Sequence, residues 1–376
     1  MKGTVHYEAR GNIALLSIDN PPVNPLSSGV RQGLFDGVSS ALADDAIEAI
    51  VLTGMHRAFI AGADISEFGA AATEGVGLGE ALDKMEGSTK PIIAAINGTA
   101  FGGGLEVALC CDYRIAAAAA PVGLPEVKLG LLPGAGGTQR LPRLVGAEAA
   151  VQAIVSGNPI MAPDALTMGI VDRVASGDII DDAIAYAHEI IADGAATRKV
   201  RDLEDKISAD RGNTALFEKF AANLDKTHRG QFAPAQILQC VEAAVNAESF
   251  DEGMAVERAR FAECMSDPQR EALIHIFFAE RAANKIPGLS KDVPLLDINK
   301  GSVIGAGTMG GGIAMCFANA GIPVRVHDND PENLARGIKV IEGNYARTVS
   351  KGRLTQEEMD KRMSLIIPTE NFDDLG

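Results

Sequence analysis

Residues 100–112 read AFGGGLEVALCCD. Three glycines stand directly ahead of an apolar run of helical length, and that run holds a single acid, Glu106. The strand-like IIAAI, Ile92–Ile96, comes before it, set off by Pro91 on one side and Asn97-Gly98 on the other. A helix that opens on glycines leaves its first N–H groups accessible and carries partial positive charge at that end. Such a place suits an oxygen that gains negative charge during a reaction. A carboxylate in so apolar a setting is either solvated or buried for a purpose.

Outward from this stretch, the next acid in apolar company is Glu126, in Gly123-Leu124-Pro125-Glu126. The run LPGAGGTQRL, residues 132–141, follows as a glycine-rich turn into a helix. Upstream, AFIAGADISEF, residues 58–68, starts like a strand and passes into Ala61-Gly62-Ala63, small residues that leave backbone N–H groups accessible. Asp64 can cap what comes next. Asn12–Ile18 and Ala49–Thr53 read as strands, and Ser28–Ala43 has helical spacing, with Val30, Leu34, Val38 and Leu42 on one face. Strands alternating with helices make this an α/β region, although periodicity does not say how the strands close up. From about Asp181 to Gly288 the pattern is helical, and Gln269–Lys285 is strongly amphipathic.

Four blocks, in order, resemble the core of the crotonase (enoyl-CoA hydratase) family: AFIAGADISEF, INGTAFGGGLEVALCCDYRIA, LPEVKLGLLPGAGGTQRLPRLVG and GNPIMAPDALTMGIVD. That resemblance implies a ClpP-like ββα spiral fold and an acyl-CoA thioester as substrate. It implies that the N–H groups of Ala63 and Gly103 hold the thioester carbonyl oxygen, and that Glu106 and Glu126 are the acid/base pair. Ala61 and Gly134 match backbone positions lining the substrate. The presence of both glutamates points to hydration of a trans-2-enoyl-CoA, with Glu106 on the water and Glu126 on the C2 proton. Pro25 is a departure, standing where the family more often has Ala. Two alternatives stay open: Δ3-Δ2-enoyl-CoA isomerisation, which can use one glutamate, and a non-catalytic acyl-CoA-binding module.

A second constellation starts near Lys300. SVIGAGTMGGG, residues 302–312, contains Gly305-x-Gly307-x-x-Gly310 between an apolar strand and the helical Ile313–Ala320. Asp328 closes the next strand, Val324–His327, about twenty residues on. Glycines there let the backbone approach a pyrophosphate, and the acid can bind ribose hydroxyls, favouring NAD over NADP. The run VIGAGTMGGGIA resembles the start of 3-hydroxyacyl-CoA dehydrogenase. Together with HIFFAERAANKIPG, residues 275–288, the order of parts resembles the multifunctional fatty-acid β-oxidation proteins. The expected division is a hydratase domain at 1–190, a helical connector at 191–288 and an incomplete Rossmann domain at 297–376. The resemblance places the dehydrogenase's catalytic His and Glu beyond Gly376. The 376 residues are therefore expected to be a fragment without dehydrogenase activity. It also implies a thiolase subunit as a partner of the full-length relative; an intact parent whose first domain only channels substrate is a further alternative.

The net charge of −16 repels nucleic acid and anionic membranes at long range. No stretch approaches the ~20 apolar residues of a membrane helix, and the N-terminus has no apolar signal core. The five cysteines form no CxxC pair and read as buried free thiols, with no metal site among them. A cytoplasmic location is expected.

Overall fold

A computed structural model describes residues 2–64, 75–194, 197–283, 285–290, 292–294 and 296–375. The chain forms two compact units, Met1–Lys285 and Ile286–Gly376.

The first unit opens with an antiparallel hairpin, β1 (Thr4–Arg10) and β2 (Ile13–Asp19). After α1 (Ser28–Ala43) the chain falls into a repeat. A strand of a large sheet is followed by a short strand of a second sheet and then by a helix. One turn is β3 (Ala49–Gly54), β4 (Ala58–Ile60) and α2 (Leu78–Glu86). The next is β5 (Ile92–Ile96), β6 (Thr99–Phe101) and α3 (Gly103–Cys110). Then come β7 (Tyr113–Ala116) and β8 (Pro121–Gly123), followed by a short 3-10 turn, Glu126–Leu129. α4 (Gly137–Val145), α5 (Ala147–Ser156), β9 (Ile160–Met161), α6 (Ala162–Met168), β10 (Arg173–Val174) and α7 (Ile179–Ala192) complete this half. The large sheet runs β1-β2-β3-β5-β7-β10 and the small one β4-β6-β8-β9. Each sheet is parallel through its middle, as the repeat requires, because successive strands enter from the same side. The ββα spiral expected from the sequence is therefore the fold.

β3 and β5 are apolar without alternation because both their faces are covered. Ile50, Leu52, Ile92, Ala94 and Ile96 face the main core. Ala49, Val51, Ile93 and Ala95 face Ala183, Tyr186, Ala187 and Ile190, all on α7. The small sheet seats α3. A Cβ added to Gly104 would stand 2.1 Å from the Ile60 carbonyl oxygen on β4, so helix and strand meet backbone to backbone. Gly104→Ala is expected to cost about 3 kcal/mol of stability, read as a lower denaturation midpoint at unchanged slope. A variant as stable as the parent would contradict this close packing.

The helical segment continues with α8 (Thr214–Thr227), α9 (Ala233–Asn246), α10 (Phe250–Ser266) and α11 (Pro268–Ala283). These helices belong to the first unit. α9 buries Ile237, Leu238, Val241 and Val245 and packs against α4 and α5, with α10 alongside. α11 has the expected amphipathic pattern, yet none of its residues is buried, and Ile276 and Phe278 stand about half exposed. Four cysteines are buried free thiols as expected; Cys316 is exposed.

The second unit is a parallel sheet β11 (Gly301–Ile304), β12 (Val324–His327) and β13 (Ile366–Thr369), in that order. α12 (Thr308–Asn319) joins the first two strands, and α13 (Pro331–Ser350) and α14 (Gln356–Ser364) join the last two. Val303, Ala314, Ala318, Val324, Val326, Leu334 and Ile341 form its core. α12 starts before Ile313, where the sequence had suggested it, because the glycines at 310–312 are already helical. Gly310 permits this: a Cβ there would lie 1.8 Å from the Gly305 carbonyl. Among the described residues, no helix is long and apolar enough to cross a membrane.

Candidate active site

The site is built where β4, β6 and α3 converge. Gly102, with φ +55°, turns the chain out of β6 into α3. Its N–H donates to the Gly123 carbonyl at 2.9 Å, which fastens the turn to β8. Gly103 is then the first residue of α3, where an N–H has no partner within the helix. A Cβ built on Gly103 would lie 3.8 Å from the Ala63 nitrogen, so these two amides are neighbours. Ala63 is held by a bridge to Leu26, with the Leu26 N–H donating to the Gly62 carbonyl at 2.9 Å. The Ala61 N–H is taken by the Val23 carbonyl at 3.1 Å. Of the block at 58–68, residues 65–68 lie outside the described residues, and with them whatever Asp64 would cap.

Glu106 is one turn into α3 and 3% exposed. Its Oε1 accepts from the Ala135 N–H at 2.7 Å and the Gly137 N–H at 2.8 Å, both in the turn leading into α4. Burial pushes its carboxyl above the ordinary carboxylate range, while the two amides and Arg140 pull the other way. Glu126 opens the 3-10 turn after β8. A Cβ on Gly102 would lie 2.9 Å from Glu126 Oε1, so the glycine makes room for that carboxyl at the mouth of α3. Glu126 Oε2 is buried with no hydrogen-bond partner among the described residues. Burial first, and the charge of Glu106 second, push its carboxyl well above the ordinary value. An inaccessible carboxyl oxygen without a donor favours the protonated form, whereas the two N–H groups on Glu106 offset part of its burial and make it the more readily ionised of the two. Two acids whose surroundings differ in this way can divide the work of base and acid.

The turn itself is braced. Arg140 is buried and pairs with Glu86 at 2.7 Å, while its Nη1 donates to the Ala135 carbonyl at 2.9 Å. The ring of Phe250 lies 5.1 Å from the Arg140 guanidinium. Gly134 packs under Phe261 of α10, whose ring a Cβ on Gly134 would meet at 2.7 Å. A third carboxylate reaches the same turn: Glu257 of α10, fully buried, which the sequence reading did not single out. Its neighbours in FDEGMAVERARF include several charges, so nothing in the local pattern marked it as buried. A cavity of about 600 Å³ opens on the other side of the 3-10 turn, between Val127, Lys128, His228, Arg229 and Leu273. Neither Glu106 nor Glu126 lines it.

Residues 8–237 match the family described as Enoyl-CoA hydratase/isomerase. The chain belongs to that family. Residues 300–376 match the NAD binding domain of 3-hydroxyacyl-CoA dehydrogenase. The peroxisomal bifunctional enzyme of Cavia porcellus is 40% identical over 348 residues, 91% of this chain and 48% of that protein. The glyoxysomal fatty acid beta-oxidation multifunctional protein MFP-a of Cucumis sativus is 33% identical over 381 residues, 98% of this chain and 52% of that one. The chain thus spans about half the length of the curated relatives it matches. Among solved structures, carnitinyl-CoA hydratase from Mycobacterium avium is 27% identical, with a TM-score of 0.55 over 75% of this chain and 97% of that one.

In the second unit Gly305 has φ +97°, and its N–H donates to the His327 carbonyl at 2.7 Å. Gly307 caps α12, and a Cβ there would meet nothing within 4 Å. Asp328 Oδ2 accepts from the Ala306 N–H at 2.8 Å, which ties the acid at the end of β12 to the glycine loop and holds its carboxyl below the usual range. A crowded Gly310, an open Gly307 and a helix N-terminus behind them fit a dinucleotide pyrophosphate.

Proposed function

We propose that this chain adds water to trans-2-enoyl-CoA to give 3-hydroxyacyl-CoA, a step of fatty-acid β-oxidation. The observation that carries it is the pairing of an acid held by two amides, Glu106, with a neighbouring acid that keeps a buried oxygen unpartnered, Glu126. The thioester carbonyl oxygen accepts from the Ala63 and Gly103 N–H groups, which drains electron density from C3. Glu106 takes a proton from water as the water oxygen bonds to C3. The electron pair of the double bond moves toward the carbonyl as an enolate held by the two amides. Glu126 then delivers its proton to C2. Water has been added across the double bond, Glu106 is left protonated and Glu126 ionised, and exchange with solvent restores both. Loss of the ultraviolet absorbance of the conjugated thioester of crotonyl-CoA reads the reaction directly. Purified chain that binds the thioester without turning it over would favour the acyl-CoA-binding alternative instead.

The division into a hydratase domain at 1–190, a helical segment at 191–288 and an NAD-binding part at 297–376 belongs to this reading. In the last part, Gly305, Gly307, Gly310 and the start of α12 would hold the pyrophosphate of NAD, and Asp328 the adenosine ribose. NAD, when bound, supplies a hydride acceptor for a 3-hydroxyacyl group. NADH titrated into the chain and followed by its fluorescence is expected to bind. Gly310→Ala, which puts a methyl group against the Gly305 carbonyl, is expected to weaken that binding at least about tenfold. Equal binding by the two would contradict the site. We further propose a thiolase subunit as a partner of the full-length parent, and a cytoplasmic location; the names of the similar proteins say peroxisomal and glyoxysomal.

A further inference from the structure

The N–H groups from the end of the glycine-rich turn through the first two residues of α4, Ala135 to Thr138, are divided between two carboxylates in strict alternation. Ala135 and Gly137 donate to Glu106 Oε1 at 2.7 and 2.8 Å. Gly136 donates to Glu257 Oε1 at 2.6 Å, and Thr138 to Glu257 Oε2 at 3.1 Å. The Thr138 hydroxyl accepts from Gln139 Nε2 at 2.9 Å and therefore turns its own hydrogen to Glu257 Oε2. Successive N–H groups go to different carboxylates, so the two acids are tied to one short piece of backbone. Glu257 lies on one stripe of α10 with Gly253 and Phe261, four residues before and after it. All three touch the same structure: a Cβ on Gly253 would be 2.2 Å from Gln139 Oε1, and Phe261 covers Gly134.

We propose that Glu257 is a positioning residue for Glu106. It clamps the turn whose other N–H groups aim the Glu106 carboxylate, and so makes the late helical segment a working part of the hydratase site. The inference rests on the reading of Glu106 as the residue that acts on water. The charged and titratable groups around Glu257 are Glu106 on α3, Glu126 on the 3-10 turn, Arg140 on α4 and Cys240 on α9. Burial and the charge of Glu106 push the Glu257 carboxyl up to about 8, against the pull of Thr138, Gly136 and Arg140. Glu257 in turn raises Glu126. Removing one negative charge from three adjacent carboxyls makes the remaining two easier to ionise.

The test is Glu257→Gln in the full chain, with Glu106→Gln beside it, assayed for crotonyl-CoA hydration across pH. Glu257→Gln is expected to lower kcat about 10- to 100-fold while KM changes less than about threefold, because the acyl-CoA contacts are elsewhere. The pH profile of kcat/KM is expected to move toward acid, most on its alkaline side. Thr138→Val removes the hydroxyl donor to Glu257, and with it the acceptor of Gln139 Nε2, but keeps the Thr138 N–H donor to Glu257; it is expected to move the profile the same way by a smaller amount. It also serves if Glu257→Gln does not fold. Should Glu106→Gln abolish hydration while the folded Glu257 or Thr138 variant keeps the parent's kcat and pH profile, the positioning role is wrong and the reading of Glu106 stands. Should Glu106→Gln itself retain full activity, the underlying reading fails instead.

Discussion

Glu106→Gln is expected to lower the rate of crotonyl-CoA hydration by about 1000-fold, with the thioester still bound. Gln fits the same space, and its amide oxygen can still accept from the Ala135 and Gly137 N–H groups. What it cannot do is take the proton of the attacking water. Glu126→Gln is expected to cost a similar factor for the opposite reason: a buried acid that has no donor on Oε2 is replaced by an amide that cannot protonate C2. The two variants separate hydration from isomerisation. Moving a proton between C4 and C2 needs one acid, so a 3-enoyl-CoA isomerised by Glu106→Gln and not by Glu126→Gln would identify Glu126 as the shuttle. Full hydration by Glu106→Gln would remove the paired-acid mechanism altogether.

The second large effect is expected from Gly103→Pro. The first position of a helix is where proline is best tolerated, because its missing N–H has no partner within the helix. At Gly103 that N–H is the proposed donor to the thioester oxygen. The added Cβ would meet Leu26 Cδ1 at 2.8 Å and Leu78 Cδ2 at 3.9 Å, both flexible side-chain ends, and the Ala63 nitrogen at an ordinary 3.8 Å. The helix is therefore expected to form while the donor is lost, and kcat/KM to fall about 100- to 1000-fold, equivalent to ~3–4 kcal/mol of transition-state stabilisation. Gly103→Ala meets the same leucine but keeps the N–H, so it controls for crowding and is expected to lose far less. Comparable losses in the two, or a fully active Gly103→Pro with an unchanged melting temperature, would take Gly103 out of the mechanism.

The parts of the fold that could be read without coordinates are those with enough residues to show a period or a run. α1, β5 and β12 have the limits their sequence patterns suggested, Ser28–Ala43, Ile92–Ile96 and Val324–His327. The small sheet could not be read in that way. β4, β6 and β8 have three residues each, too few for alternation, and they exist because parallel neighbours supply their hydrogen bonds. Amphipathicity gave α11 as a helix but not how deeply its apolar side chains sit: Leu273, Ile274 and Phe277 are half-buried, and Ile276 and Phe278 are exposed.

For the site, chemistry written along the chain was enough to pick out Glu106, Glu126 and the glycines at 102–104, because an acid among apolar residues and a run of glycines are anomalies that local structure alone does not require. Only the tertiary structure decided which backbone N–H groups each carboxylate receives. It alone brought in Glu257, Arg140 and Glu86, which look like ordinary charges of surface helices. The reason is physical. A side chain's burial and its partners depend on what another part of the chain lays against it, and here α10 meets the turn before α4 across 121 residues of sequence.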